Sequence, residues 1–227
     1  MKGGMTMNLA KSFEFFDPTT LHEQIHLIGC GSVGSTVAEL LARFGIEDLC
    51  IYDFDVVEEH NLVNQMFTLN DLYKPKVEAV EAHLKEINPN MNITMFKDGY
   101  TNQKLSGYVF LCVDNIDLRR EIVTANKFNN TIKGFFDFRT GLTDCQHFAA
   151  DWSRMDHKKA LLAQMNFSHE EAQQAVPMSA CHVALCVAPT VRLVSNIGVC
   201  NFINFVKGLE LKQGIIADAF SFMIEEL

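Results

Sequence analysis

The sequence predicts an α/β fold of the Rossmann-like kind, a mainly parallel sheet with helices on both faces and an antiparallel extension at one edge. Two observations carry this. Residues 24–52 read as strand, Gly-rich turn, helix, strand, which is one βαβ unit. Beyond them, short apolar runs keep alternating with helical patterns, the order that a parallel sheet with crossover helices requires.

The first strand is "QIHLI", an apolar run that stops at the glycines of "GCGSVG". "VGSTVAELLARFG" then sets Val33, Val37, Leu40, Leu41 and Phe44 at helical spacing, with Gly45 as the C-terminal stop. "DLCIYDFD" is the second strand. "KPKVEAVEAHLKEINPN" predicts a helix opened by Pro75 and closed before Pro89. "ITMF", "YVFLCVD" and "IKGFFDF" are three further strands, with "IDLRREIVTANKF" helical between the last two. "DCQHFAA" suits an antiparallel edge strand. Residues 151–180 turn polar and helical, which predicts an excursion over the sheet's edge, and residues 190–207 return as a buried helix.

Length and composition bound the function. A chain of 227 residues can bury one good core, so a single domain over 1–227 is expected. The net charge of −9, without any Lys/Arg run, argues against general nucleic-acid binding. No charged n-region precedes an apolar h-region at the start, so a cytoplasmic protein is expected. The longest apolar region is broken by His182, Pro189, Arg192 and Asn196, which disfavours a membrane span. Seven cysteines, several inside apolar runs, read as reduced core thiols without a disulfide framework.

The chemistry is carried by a set of spaced motifs. Gly29, Gly31 and Gly34 have the G-x-G-x-x-G spacing that lets backbone approach a phosphate at a helix start. Asp53, nineteen residues after Gly34, is placed to bind an adenosine ribose. Those two features alone serve NAD and ATP equally, so an NAD(P)-dependent oxidoreductase stands as one reading. Downstream come Asp55, then Asn61, Leu62 and Gln65, then Lys76 at a helix start, then Asp114, Asn115 and Arg119.

As an ordered set, these residues resemble the ThiF family, the adenylating domains related to ubiquitin-activating enzymes, MoeB and HesA. The family pattern is a Gly-rich turn, D-x-D, N-L-x-R-Q, a helix-opening lysine, and D-N with an arginine beyond. Order and spacing hold over residues 25–120 and continue more weakly to about residue 208. The resemblance implies ATP- and Mg²⁺-dependent adenylation of a carboxylate. The implied substrate is the C-terminal glycine of a ubiquitin-like or sulfur-carrier protein, and the implied assembly is a homodimer or heterodimer.

Adenylation joins a carboxylate to the α-phosphate of ATP, so two anions must be brought together and pyrophosphate stabilised. On that reading the glycine turn with Ser32 takes the phosphates, Asp53 holds the ribose, and Asp55 stands beside it. Lys76 is a point charge on the phosphates, with Asn61 and Gln65 as neutral donors. Asp114 is the Mg²⁺ ligand at a strand's carboxyl end, Asn115 stands beside it, and Arg119 orients that ligand or the substrate carboxylate. Cys181, eight residues before Pro189, matches the position of the sulfur-carrier branch's acyl-accepting cysteine.

Four differences from the family pattern stand out. Asn64 replaces the arginine of N-L-x-R-Q, Ser32 replaces a glycine, "KSFEFFDPTTLHEQ" lacks an arginine, and the paired C-x-x-C zinc ligands are missing. No structural zinc is expected, and a degenerate nucleotide-binding scaffold or heterodimer partner stands as the second reading. Arg139, just past a strand end, and Trp152, in the excursion, are further candidates for the cleft or its cover.

Overall fold

The computed structural model describes residues 7–175, 177–179 and 185–227. One eight-stranded sheet runs in the order β3-β2-β1-β4-β5-β6-β7-β8. The parallel half comprises β1 (Ile25–Ile28), β2 (Asp48–Tyr52), β3 (Asn92–Phe96), β4 (Gly107–Leu111) and β5 (Ile132–Thr140). β6 (Asp144–Asp151), β7 (Gly214–Asp218) and β8 (Met223–Glu226) extend it antiparallel.

Two apolar layers sandwich the sheet. On one face α1 (Ser32–Arg43), α2 (Lys76–Ile87) and α6 (Ala188–Val206) pack side by side. Leu27, Val37, Leu41, Val80, Phe110, Phe136 and Phe202 share that core. On the other face lie α3 (Ile116–Ala125), α4 (Met155–Ala163) and α5 (His169–Ala175), and Ile122 of α3 shares a second core with Val109, Leu111, Phe135 and Trp152. The central strands are apolar on both sides because both sides are covered, and each fully buried Phe or Leu contributes about 1.5–3 kcal/mol.

Local chemistry sets the element ends. Gly45 adopts φ +83° just past α1, where a side chain would be strained. Pro75 precedes Lys76 at the start of α2, and the Asn115 side chain caps α3 by accepting from the Leu118 amide at 3.0 Å.

The sheet runs two strands further than the sequence pattern indicates. β6 is therefore interior rather than the edge. β8 is exposed at all four residues, so its sequence carries no buried-exposed alternation to read. Trp152 is a core residue and covers no cleft: it is buried, and its indole donates to the Asn126 carbonyl at 2.9 Å. Among the described residues no helix is long and apolar enough to cross a membrane.

Candidate functional site

β1 lies between β2 and β4, so the chain leaves it toward one side and returns on the other. That switch opens a crevice at the carboxyl ends of the strands, the usual ligand position in such sheets. The glycine turn forms its floor. Gly29 has φ +96°, donates to the Tyr52 carbonyl at 2.8 Å, and would put a Cβ 2.8 Å from Cys112 backbone carbon. A Cβ on Gly34 would fall 1.8 Å from the Gly29 carbonyl oxygen. Both glycines are required by the protein's own packing.

Gly31 is different. A Cβ there would meet nothing within 4 Å, so the protein's interior does not explain it. It lines the cleft at the N-terminal cap of α1, where helix amides lack intrahelical partners and the helix dipole favours an anion. Space left open beside unpaired amides fits a phosphate.

Asp53 stands at the end of β2. Its carboxylate accepts from the Cys30 amide at 2.6 Å and the Asp55 amide at 2.8 Å. Burial pushes its pKa upward, against those two amides and Lys76, which pull it down. Lys76, at the start of α2, reaches back across the cleft to Asp55, with Nζ 2.7 Å from Oδ2. The lysine side chain is 8% exposed and the aspartate 49%.

Asn61 sits in a short 3-10 helix, Glu59–Val63, and its Oδ1 accepts from the Glu58 amide at 2.9 Å. Gln65 follows, and its Oε1 is buried with no hydrogen-bond partner among the described residues. A buried acceptor without a donor is costly, so this atom calls for a ligand or water. Asn64, where the family pattern has arginine, donates its side-chain amide to the Cys186 carbonyl at 3.0 Å.

Asp114, just beyond β4, is exposed in the same cleft. Mg²⁺ is commonly held by one or two carboxylates together with substrate phosphates, and Asp114 beside the phosphate floor fits that donor set. Among the described residues no group of three or more His, Cys, Asp or Glu could hold a metal by itself. Metal retention here would depend on the nucleotide.

The structure thus brings Gly29, Gly31, Ser32, Asp53, Asp55, Asn61, Gln65, Lys76 and Asp114 to one cleft of about 700 Å³. Other residues singled out from sequence lie elsewhere. Gly34 is buried under the turn. Asn115 is spent as the α3 cap. Arg119 is 5% exposed, pairs with Asp137, and donates to the carbonyls of Leu111 (3.2 Å) and Val113. It clamps the end of β4 that carries Asp114. Arg139 pairs with the same Asp137 and donates to the Gln164 carbonyl, so it too is turned away. Asp137 is fully buried, and burial alone would raise its pKa, but Arg119 and Arg139 override that and lower it.

Cys181 lies outside the described residues. The cleft does hold two other cysteines, Cys112 and Cys186. Burial pushes the Cys112 thiol's pKa up. The sequence reading missed Asp98, Tyr100 and the exposed apolar rim of Phe54, Val63 and Leu185. Phe54 and Val63 are the variable positions within the D-x-D and N-L-x-R-Q patterns, whereas Asp98, Tyr100 and Leu185 lie in segments that no motif marks.

Comparisons with known proteins bear on the family and the fold. The ThiF family model matches residues 18–224. The ubiquitin-like modifier-activating enzyme 5 of Drosophila erecta is 32% identical over 169 residues, covering 61% of this chain and 41% of the relative. Its counterpart in Branchiostoma floridae is 36% identical over 119 residues, covering 44% and 29%. The chain thus spans about two fifths or less of the length of these curated relatives. Among solved structures, PaaA matches with a TM-score of 0.72 at 17% identity, covering 92% of this chain and 65% of PaaA. E. coli MccB with ATP matches with a TM-score of 0.67 at 17% identity over the same shares. At such identities these structures bear on the fold alone.

Proposed function

This chain belongs to the ThiF family, and from that premise we propose that it is an ATP-dependent adenylyltransferase. The reaction joins a substrate carboxylate to the α-phosphate of ATP, giving an acyl-adenylate and pyrophosphate. The substrate we propose is the C-terminal glycine of a ubiquitin-like or sulfur-carrier protein. The relatives' name, a ubiquitin-like modifier-activating enzyme, supports that choice.

The observation that carries the reading is the convergence on one cleft of an open glycine turn, a carboxylate at the ribose position, a buried lysine and an exposed aspartate. An NAD(P) oxidoreductase gives Lys76, Gln65 and Asp114 nothing to do. Gly31 and the first amides of α1 bind the triphosphate. Asp53 takes the ribose hydroxyls, oriented by the Cys30 and Asp55 amides that already hold it. Lys76 turns from Asp55 to the phosphates, where a point charge offsets the repulsion between ATP and the entering carboxylate. Asp114 and the phosphates would hold Mg²⁺, which would supply neutralising charge beside the phosphates when bound. Arg119 acts at one remove, by fixing the backbone before Asp114. A homodimer or heterodimer is part of the same proposal.

A second reading has one specific observation behind it. Asn64 is neutral and its amide is occupied by the Cys186 carbonyl, which suits a nucleotide-binding scaffold without activity. Product analysis separates the two. With Mg²⁺, ATP and candidate carriers ending in glycine, the enzyme reading predicts acyl-adenylate and pyrophosphate in equal amounts, with free AMP only as the adenylate is hydrolysed by water. ATP binding without turnover, followed by a large gain in Asn64→Arg, favours the scaffold.

A further inference from the structure

Lys76 opens α2, but the helix's own cap does not aim it. Pro75 occupies the N-cap position and has no polar side-chain group to offer, and the helix dipole disfavours a lysine at a helix start. Its placement comes from the turn before it, and that turn is strained. Tyr73 has φ +67°, a conformation costly for a bulky residue, and its ring is 72% exposed, so packing of the ring does not offset the cost. Backbone hydrogen bonds impose the turn instead. The Tyr73 amide donates to the Val57 carbonyl at 2.8 Å, the Val57 amide to the Lys74 carbonyl at 2.9 Å, and the Lys76 amide to the Asp55 carbonyl at 2.9 Å.

Two side chains hold this turn against the helix it leads into. Asp71 is buried, and its Oδ2 accepts from the Thr68 amide and hydroxyl, both at 2.8 Å, while the Lys74 amide donates to the Asp71 main-chain carbonyl at 3.1 Å. His83 Nε2 donates to the same Oδ2 at 2.7 Å. Burial alone would raise the Asp71 pKa, but the His83 and Thr68 donors outweigh it and lower it, so the turn is built on the carboxylate. His83 follows Lys76 by seven residues, about two helical turns, so both lie on one side of α2. A tether at His83 therefore fixes the rotation of α2 about its axis, and with it the direction in which Lys76 leaves the helix.

We propose that Asp71 and His83 are positioning residues for Lys76: their hydrogen bond locks the strained turn at Tyr73 onto α2 and aims the Lys76 ammonium at the phosphate floor of the cleft. Both act from outside the cleft lining. The inference rests on the place given above to Lys76 on the phosphates and adds how that place is held. With the lock broken, the turn relaxes toward an unstrained conformation, α2 is free to rotate, and the lysine's contact with the nucleotide weakens while the other cleft contacts persist.

The test is calorimetric titration of the full chain with Mg²⁺ and a non-hydrolysable ATP analogue, on variants shown to be folded by circular dichroism. His83 is the residue to change, because it is less buried than Asp71. His83→Ala and His83→Leu, the second filling the ring's space without its donor, should each weaken binding about threefold or more. His83→Gln, whose side-chain amide can donate in place of Nε2, should bind within about twofold of wild type. With Lys76→Ala already in place, His83→Ala should change affinity no further, because the tether then has nothing to aim. A loss of the same size with and without Lys76 overturns the inference, since it marks a general structural role. Full affinity in His83→Ala and His83→Leu overturns it, as does a His83→Gln as weak as His83→Ala. Unchanged affinity in Lys76→Ala overturns both this inference and the place of Lys76 on the phosphates.

Discussion

Lys76 Nζ lies 2.7 Å from Asp55 Oδ2, so the cleft's only lining lysine among the described residues is paired to a carboxylate at the cleft's edge. Half of that carboxylate is exposed, so the pair is screened and contributes at most about 1 kcal/mol to stability. A phosphate can displace such a partner cheaply.

Lys76→Ala should therefore cost little stability and much function. The expected result is a loss of adenylation of about 10²-fold or more, with unfolding free energy within about 1 kcal/mol of wild type. Asp55→Asn should do the reverse for the ground state, releasing Lys76 and tightening ATP binding. Calorimetric titration with ATP, beside urea denaturation, reads both. Unchanged ATP affinity in both variants would remove Lys76 from the phosphates.

The glycines should separate by role. Gly34→Ala forces a Cβ onto the Gly29 carbonyl oxygen and should destabilise the fold severely. Gly31→Ala meets nothing in the protein and should leave the melting temperature almost unchanged while ATP binding falls about tenfold or more, since the methyl enters the phosphate's space. Comparable melting losses in the two variants would contradict a ligand role for Gly31.

Arg119 is expected to behave as a structural residue. Arg119→Ala leaves Asp137 buried with Arg139 as its remaining arginine partner, and breaking a buried pair costs about 3–5 kcal/mol. A variant of native stability that has lost only activity would return Arg119 to the substrate.

Two pH dependences follow from burial. Asp53's pKa is raised in the folded protein, so its carboxylate form, the acceptor for ribose hydroxyls, is lost as pH falls through a value above the ordinary 3.8. ATP affinity should drop on that acid limb, and Asp53→Asn should bind weakly at every pH without it. Asp137 has the opposite sign. Its pKa is lowered, so its contribution to stability is complete above the unfolded value and declines as pH falls toward the folded one. Denaturation midpoints measured across the acid range should show that loss in wild type and lack it in Asp137→Asn.

Much of this was legible in the sequence where the signal is local. A strand ending at Gly29, the helix after Gly31 and the aspartate ending β2 lie within about thirty residues, and periodicity with glycine chemistry is enough to read them. The conversion of Arg119 from cleft residue to clamp was not legible. It depends on Asp137, on a neighbouring strand, which supplies a buried carboxylate at the arginine's reach. The same holds for the rim, where Leu185 joins Phe54 and Val63 from a segment far along the chain. β8, exposed at all four residues, has its place in the sheet through pairing with β7 and leaves no burial pattern of its own.

The central claim is that this cleft activates a carboxylate through the α-phosphate of ATP. ATP–pyrophosphate exchange with Mg²⁺, in wild type and Asp114→Asn, tests it most directly. The account predicts exchange that requires a polypeptide ending in glycine and falls about 10²-fold or more in Asp114→Asn. Wild-type protein that binds ATP yet catalyses no exchange with any such polypeptide would contradict it.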